Sequence, residues 1–314
     1  MRHLFIINPA AGKKASTPEL VRLLSTLSFE HEVVYTQQAG DAQRIAREAA
    51  QTGEDVRLYA CGGDGTLNEV VNGAAGYDNA AVTCVPKGTG NDFLKIFGPD
   101  YRKLFYDLEG LANGPQTPFD LIDCNGKLGI DMVCAGVDAR IGAGVHRYKR
   151  WRLVSGMGAY VLSLIEHVLF RGISRPVHVE IGDQVMDGPS ALLCVCNGRY
   201  YGGGFMPMPE AMPDDGILDM LYVTKVTLPQ LPGLLGKYAT GRYKELSGFV
   251  TDFHGQSISF SSHEEITAVV DGEVIRDTAF IVRLSERKIN FFYPPQASYS
   301  VEFSTPAPDE KAIL

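Results

Sequence analysis

The chain lacks the marks of several large protein classes. No apolar run approaches the ~20 residues needed to span a bilayer, and the N-terminal stretch MRHLFIINPA has too short an apolar core for a secretion signal. None of the six cysteines stands in the C-x-x-C spacing of a zinc site. Cys61, Cys84, Cys194 and Cys196 lie in apolar, strand-like runs and Cys124 and Cys134 flank a turn, so they read as small buried thiols. An excess of positive charge is also missing. With 29 Lys+Arg against 37 Asp+Glu the net charge is −8, which argues against general nucleic-acid binding. Internal repeats and low-complexity tracts are absent. What is left is a globular chain, cytoplasmic by default. Its 314 residues suffice for two domains, each with its own core.

The first part of the chain alternates strand and helix. Leu4 to Ile7, Glu32 to Tyr35, Val56 to Cys61 and Ala80 to Val85 read as strands. Helical spacing falls between them at Leu20, Leu23, Leu24 and Leu27, and again at Ala42, Ile45, Ala46 and Ala49, where Asp41 is a cap candidate. This alternation predicts a mainly parallel sheet with helices on both faces, in which ligands bind beyond the carboxyl ends of the strands. From about Phe119 the pattern changes to short strands separated by Gly/Asp turns, interrupted by one amphipathic helix over roughly 154–169. The expected organisation is an α/β nucleotide-binding domain over 1–119 and a β-sandwich over 120–291. The proline-bearing tail, 292–314, has little of its own to pack against.

All the glycine-rich turns of the first part fall at strand ends. NPAAGKK, Asn8 to Lys14, follows strand one, with Lys13 or Lys14 able to neutralise phosphate charge. GGDGTLNEVVNG, positions 62 to 73, follows strand three and opens a helix, a place where unpaired N–H groups attract phosphate. Read plainly, Thr66 and Glu69 also fit a capping box. PKGTGNDFLK, Pro86 to Lys95, follows strand four, with Asn91 or Asp92 as cap. One such turn is common, whereas three at successive strand ends form a specific pattern. None has Walker A spacing.

These three segments resemble the motifs of the diacylglycerol kinase catalytic-domain family, the soluble lipid kinases related to sphingosine kinases, whose first domain is doubly wound and similar to NAD kinases. The resemblance implies that ATP is held by Asn8, Pro9, Ala10, Ala11, Gly12 and Lys13, by Thr36, by Gly63, Asp64, Gly65, Thr66, Leu67, Asn68 and Glu69, and by Thr89. Lys87 stands at a variable position of the third motif, and Ala10-Ala11 replaces a more usual hydroxyl-bearing pair. The resemblance also returns the tail to the first domain and leaves a homodimer open.

Two acidic turns mark the second part. PDDGILD, Pro213 to Asp219, is an ordinary β-turn by spelling. By resemblance it holds a structural Mg²⁺ through the Asp215 carboxylate and the carbonyls of Met212 and Ile217. VVDGEVI, Val269 to Ile275, reads as a hairpin on Asp-Gly alone, and by resemblance its tip supplies the general base, Asp271 or Glu273. Asp64 is the alternative source of the base or a holder of catalytic Mg²⁺. Basic and aromatic residues, Arg147 to Arg152, precede the amphipathic helix and suit an anionic membrane surface. The expected activity is ATP-dependent transfer of the γ-phosphoryl group to a lipid hydroxyl, diacylglycerol or a related lipid, at a membrane surface. The alternatives are a kinase of a soluble hydroxyl acceptor, as in NAD kinase, and a catalytically silent nucleotide- or lipid-binding regulator.

Overall fold

The computed structural model describes residues 1–13, 16–88, 90–141 and 172–299. Arg2–Ile7 (β1), Glu32–Tyr35 (β2), Val56–Gly62 (β3) and Ala80–Pro86 (β4) are parallel strands ordered β2-β1-β3-β4. Every residue of β3 and β4 is buried. A sheet covered on both faces calls for largely apolar strands, and these two are, with Arg57 and Thr83 as buried polar exceptions. Ser16–Leu24 (α1), Asp41–Gln51 (α2) and Asp64–Ala74 (α3) make the crossovers. The last two cross closely at Gly73, where a Cβ would lie 2.4 Å from the Gln43 carbonyl oxygen.

The helix starts differ from their spelling. Gly40, at φ 85°, precedes α2, and the Asp41 carboxylate turns backwards to accept the amides of Gln37 (2.8 Å) and Gln38 (3.1 Å). Glu69 does not close a capping box on its own helix. It accepts the amides of Gly40 (2.9 Å) and Ala42 (3.1 Å), so α3 satisfies the orphan donors at the start of α2.

Beyond β4, Tyr101–Phe105 (α4) and Leu108–Ala112 (α5) lead to Gln116–Phe119 (β5). The sheet's sixth strand comes from the far end of the chain. Ile289–Phe292 (β15) lies between β4, to which it is parallel, and β5, to which it is antiparallel. This return begins ahead of residue 292. The chain stays against the first sheet as far as Tyr299, whose ring meets those of Phe97 at 5.5 Å and Phe119 at 5.3 Å.

The second sheet has nine strands: Ile122–Cys124 (β6), Lys127–Gly129 (β7), Met132–Gly136 (β8), Arg175–Ile181 (β9), Gln184–Cys196 (β10), Leu218–Thr224 (β11), Val250–Gly255 (β12), Ser257–Val270 (β13) and Glu273–Leu284 (β14). Both β8 and β9 pair with β10 and with β13, so the sheet bends back on itself around Val133, Leu193, Met220, Phe260 and Phe280. Its other face buries Met132, Cys134, Cys194, Cys196 and Leu221 beside Leu231–Ala239 (α6). That helix was not foreseen, because Gly233 and Gly236 weaken its spelling. All six cysteines are buried and free. The expected helix over 154–169 and the basic segment before it lie outside the described residues, as do Lys14 and Thr89.

Candidate active site

Because β1 is flanked by β2 and β3, the direction of winding reverses between β1 and β3, and a crevice opens at their carboxyl ends. Asn8, leaving β1, closes it on one side. Its amide donates to the Cys61 carbonyl (3.0 Å), its Nδ2 to Thr66 Oγ1 (3.0 Å), and its Oδ1 accepts from the Ala10 amide (2.9 Å). The turn after β4 closes the other side. The amides of Lys87 and Gly88 donate to the Gly62 carbonyl, both at 2.9 Å, as does Asn91 Nδ2 at 3.0 Å. The three glycine turns therefore pack on one another. A Cβ on Gly88 would lie 2.5 Å from Gly63 Cα, and one on Gly12, at φ +74°, would lie 2.0 Å from the Lys87 carbonyl oxygen. By contrast, a Cβ on Gly65 would meet nothing within 4 Å. The groove is open at the start of α3, ahead of its first intrahelical bonds.

The remaining nucleotide residues expected from the motifs divide into two groups. Pro9, Ala10, Gly12 and Lys13 are exposed along the first turn, Ala11 is partly exposed, and Thr36 is buried at the end of β2 with its amide on the Ile7 carbonyl (2.9 Å). Leu67, Asn68 and Glu69 point their side chains elsewhere. Leu67 is in the core, Glu69 serves α2, and Asn68 Nδ2 donates to the Leu128 carbonyl (3.1 Å) and to Asp271 Oδ2 (3.0 Å). Asn72 Nδ2 adds a second bond to the Leu128 carbonyl (3.0 Å). The asparagines of the long second motif thus join the two sheets.

Four carboxylates close enough to act on one another's charge lie where the sheets meet. Asp64 accepts the amides of Asn91 (2.9 Å) and Asp92 (2.7 Å). Burial first, then the neighbouring Asp92 charge, pushes its pKa up to about 6 against the pull of those two bonds. Asp92 stands at the N-cap position of the helical turn Phe93–Phe97, but its side chain makes no capping bond. Asp92 instead accepts Lys95 Nζ (2.6 Å) and the Gly203 amide (2.8 Å) from the second sheet's side. Asp131 was not singled out in the sequence. Its Oδ1 is buried with no described partner, and burial, followed by the charges of Asp271, Asp92 and Asp64, raises its pKa well above the carboxylate range. No motif surrounds Asp131, and only the fold brings it here.

The hairpin tip is a two-residue turn with Asp271 at φ 45° and Gly272 at φ 88°, between Val270 and Glu273. The Asp271 carboxylate is saturated. It accepts the amides of Ile130 (2.7 Å), Asp131 (3.1 Å) and Met132 (2.9 Å) as well as Asn68 Nδ2 (3.0 Å). Burial raises its pKa and these bonds oppose the rise. Glu273 is half-exposed and pairs with Lys127 across the hairpin base. Two neighbouring acids therefore sit in opposite situations, one buried and spent on four backbone and side-chain donors, the other part-exposed and paired with a single lysine.

At the PDDGILD turn, the neighbouring acids already have partners. Asp214 accepts the Tyr299 hydroxyl (2.9 Å), Asp219 pairs with His254 (2.6 Å), and the fully buried Asp120 accepts the Gly216 amide (2.8 Å) and pairs with Lys288 (2.7 Å). Asp215 gives one oxygen to the Ile217 amide (3.0 Å), and burial with the nearby Asp120 and Asp214 raises its pKa. Among the described residues no three His, Cys, Asp or Glu side chains converge as a metal cluster. One carboxylate, turn carbonyls and water are the hard-oxygen set that Mg²⁺ accepts, so the donor types of this turn, with Asp215 as its carboxylate, are compatible with such an ion.

Glycine turns at the switch point of a parallel sheet are thus faced by a carboxylate-bearing hairpin from a second sheet. Comparisons with known proteins give the class. Residues 2–124 match the model of the diacylglycerol kinase catalytic domain, and residues 131–292 that of the YegS C-terminal NAD kinase beta sandwich-like domain. A Pectobacterium atrosepticum protein described as "Probable lipid kinase YegS-like" is 30% identical over 94% of this chain and 97% of its own. A diacylglycerol kinase of Bacillus subtilis is 30% identical over 73% of this chain and 76% of its own. A crystal structure of a diacylglycerol kinase from Bacillus anthracis superposes with a TM-score of 0.68 at 22% identity, over 95% of this chain and 98% of that one, a likeness of fold. The chain belongs to this lipid kinase family and is a phosphotransferase.

Proposed function

We propose that the protein transfers the γ-phosphoryl group of ATP to the hydroxyl of a lipid, diacylglycerol or a close relative, presented at a membrane surface. Residues 1–119 with the returning β15 form the nucleotide-binding body, and residues between them carry the lipid-facing body. The observation that carries this reading is the packing of three glycine turns around the open start of α3, directly opposite the β13–β14 hairpin. ATP phosphates lie along Asn8–Lys13 and Gly63–Thr66, where amides and the helix dipole favour anions.

The acceptor hydroxyl enters from the hairpin side. Its proton passes to Glu273 as the new P–O bond forms and ADP leaves with the electrons of the broken bond. The contrast between the two hairpin acids supports Glu273 over Asp271, since a base needs a free lone pair and Asp271 has spent its own on four donors. Asp271 then holds the hairpin to α3. Asp64 and Asp92 lie near the phosphates, and Mg²⁺ bound with the nucleotide would offset the crowded negative charge there. Asp215 would hold a second, structural Mg²⁺. No helix among the described residues is long and apolar enough to cross a membrane, and access to the lipid is peripheral in this reading.

Incubation with labelled ATP and a panel of diacylglycerol, phosphatidylglycerol, a sphingoid base and NAD tests the assignment. Label in a lipid product supports it. Label transferred to NAD alone supports the soluble-acceptor alternative, and no transfer to any acceptor, with ATP still bound, supports the silent regulator.

A further inference from the structure

Lys87 follows β4 and touches all three glycine turns. Its amide donates to the Gly62 carbonyl, its own carbonyl is the atom that a Cβ on Gly12 would strike, and its ammonium reaches under the first turn to the carbonyls of Asn8 (2.9 Å) and Ala11 (2.7 Å). The residue is 4% exposed. A buried ammonium is normally compensated by a carboxylate, because removing a whole charge from water is costly. Among the described residues no carboxylate pairs with this one, and burial lowers its pKa. Two carbonyl dipoles occupy two of its three donors and leave the charge uncancelled.

We propose that Lys87 is a positioning residue for the phosphates of the bound nucleotide, tying down the first turn and leaving a net positive charge beneath the three turns. This rests on the nucleotide reading above. The charge is fixed in place before the ligand arrives, so the phosphates complete a pair that the empty protein lacks. The third family motif leaves this position variable, so the motif itself does not announce the role.

The test is equilibrium binding of ATP, and of adenosine by competition, to the parent, Lys87→Met and Lys87→Gln, alongside thermal melting and steady-state kinetics. Glutamine keeps a donor for one carbonyl and removes the charge, which guards against a methionine variant that folds poorly. Both variants are expected to lose about tenfold to a hundredfold in ATP affinity, the scale of a charge-assisted contact. Adenosine, which carries no phosphate, should bind as to the parent, and the loss should appear in KM for ATP rather than in kcat. A folded glutamine variant that binds ATP as the parent does would overturn the proposal. So would equal losses for ATP and adenosine, which would mark a scaffold role only. A parent that binds ATP no better than adenosine would instead overturn the phosphate reading itself, and the role of Lys87 with it.

Discussion

The two walls of the cleft are made by opposite means. On the proposed nucleotide wall the working groups would be backbone amides, while side chains such as Asn8, Lys87 and Arg102 hold the turns. Arg102 donates to the carbonyls of Pro86 (3.1 Å), Gly88 (3.0 Å) and Gly90 (3.3 Å). On the hairpin wall the proposed working groups are side-chain carboxylates, and backbone amides hold one of them, Asp271. A phosphate is bound by many weak, evenly spread donors, which a glycine turn provides without any single indispensable side chain. A proton is accepted at one atom, which demands one carboxylate in one place. The walls should therefore respond differently to mutation: the first through backbone shape, the second through single functional groups.

The largest effect is expected where shape is tightest. Gly12→Ala must bring a Cβ into the Lys87 carbonyl at a left-handed backbone position, and Gly88→Ala must push Gly63 away. Each should lower stability by roughly 3 kcal/mol or more and abolish ATP binding. Gly65→Ala, with open space around it, should melt like the parent and affect ATP alone. Melting curves for the three, with ATP titrations, check the contrast; equal destabilisation by all three would break it.

Next in size is Asp271→Asn, which sets an NH₂ group against donors that need an acceptor. A loss of roughly 2–4 kcal/mol in stability is expected, with turnover of the folded fraction reduced far less than stability implies. Asn68→Ala removes one of the same bonds and should cost about 1 kcal/mol. Denaturant unfolding of both, at saturating and zero ATP, measures this.

The smallest effect concerns pH. The folded protein holds the Asp64 proton more tightly than the unfolded chain, with a pKa of about 6 against an ordinary 3.8. Stability therefore falls as pH rises from about 4 to 6, and the loss is complete above that window. Asp64→Asn mimics the protonated form. Its melting temperature relative to the parent, without nucleotide, should be more favourable at pH 7.5 than at pH 5. A difference that is flat with pH, or opposite in sign, would show that Asp64 does not ionise against the fold.

The same contrast explains what could be read from the residues. The parallel sheet, its glycine turns and the Asp-Gly hairpin were legible because each is local: strand spelling, a turn residue and a φ requirement lie within a few positions. The wall-to-wall contacts were not. Asn68 meets Asp271 across 203 positions, Glu69 caps a different helix from the one it spells, and Asp131 is placed by tertiary packing with no local sign. Helix α6 was missed because its glycines argue against it until packing against Leu221 and Val223 overrides propensity. The assignment of lipid kinase chemistry rested on family resemblance, since spacing alone defines a phosphate site and leaves the acceptor open.

The central claim is that the two hairpin acids have different work, Glu273 accepting the proton and Asp271 holding the tip. One experiment addresses it directly: kcat, ATP affinity and melting temperature measured together for Glu273→Gln and Asp271→Asn with the best lipid acceptor from the panel. The account predicts that Glu273→Gln loses ~10² to 10⁴-fold in kcat while binding ATP and melting as the parent does, and that Asp271→Asn is destabilised first. Parental turnover in Glu273→Gln, with the loss of chemistry appearing in a stably folded Asp271→Asn instead, would contradict it.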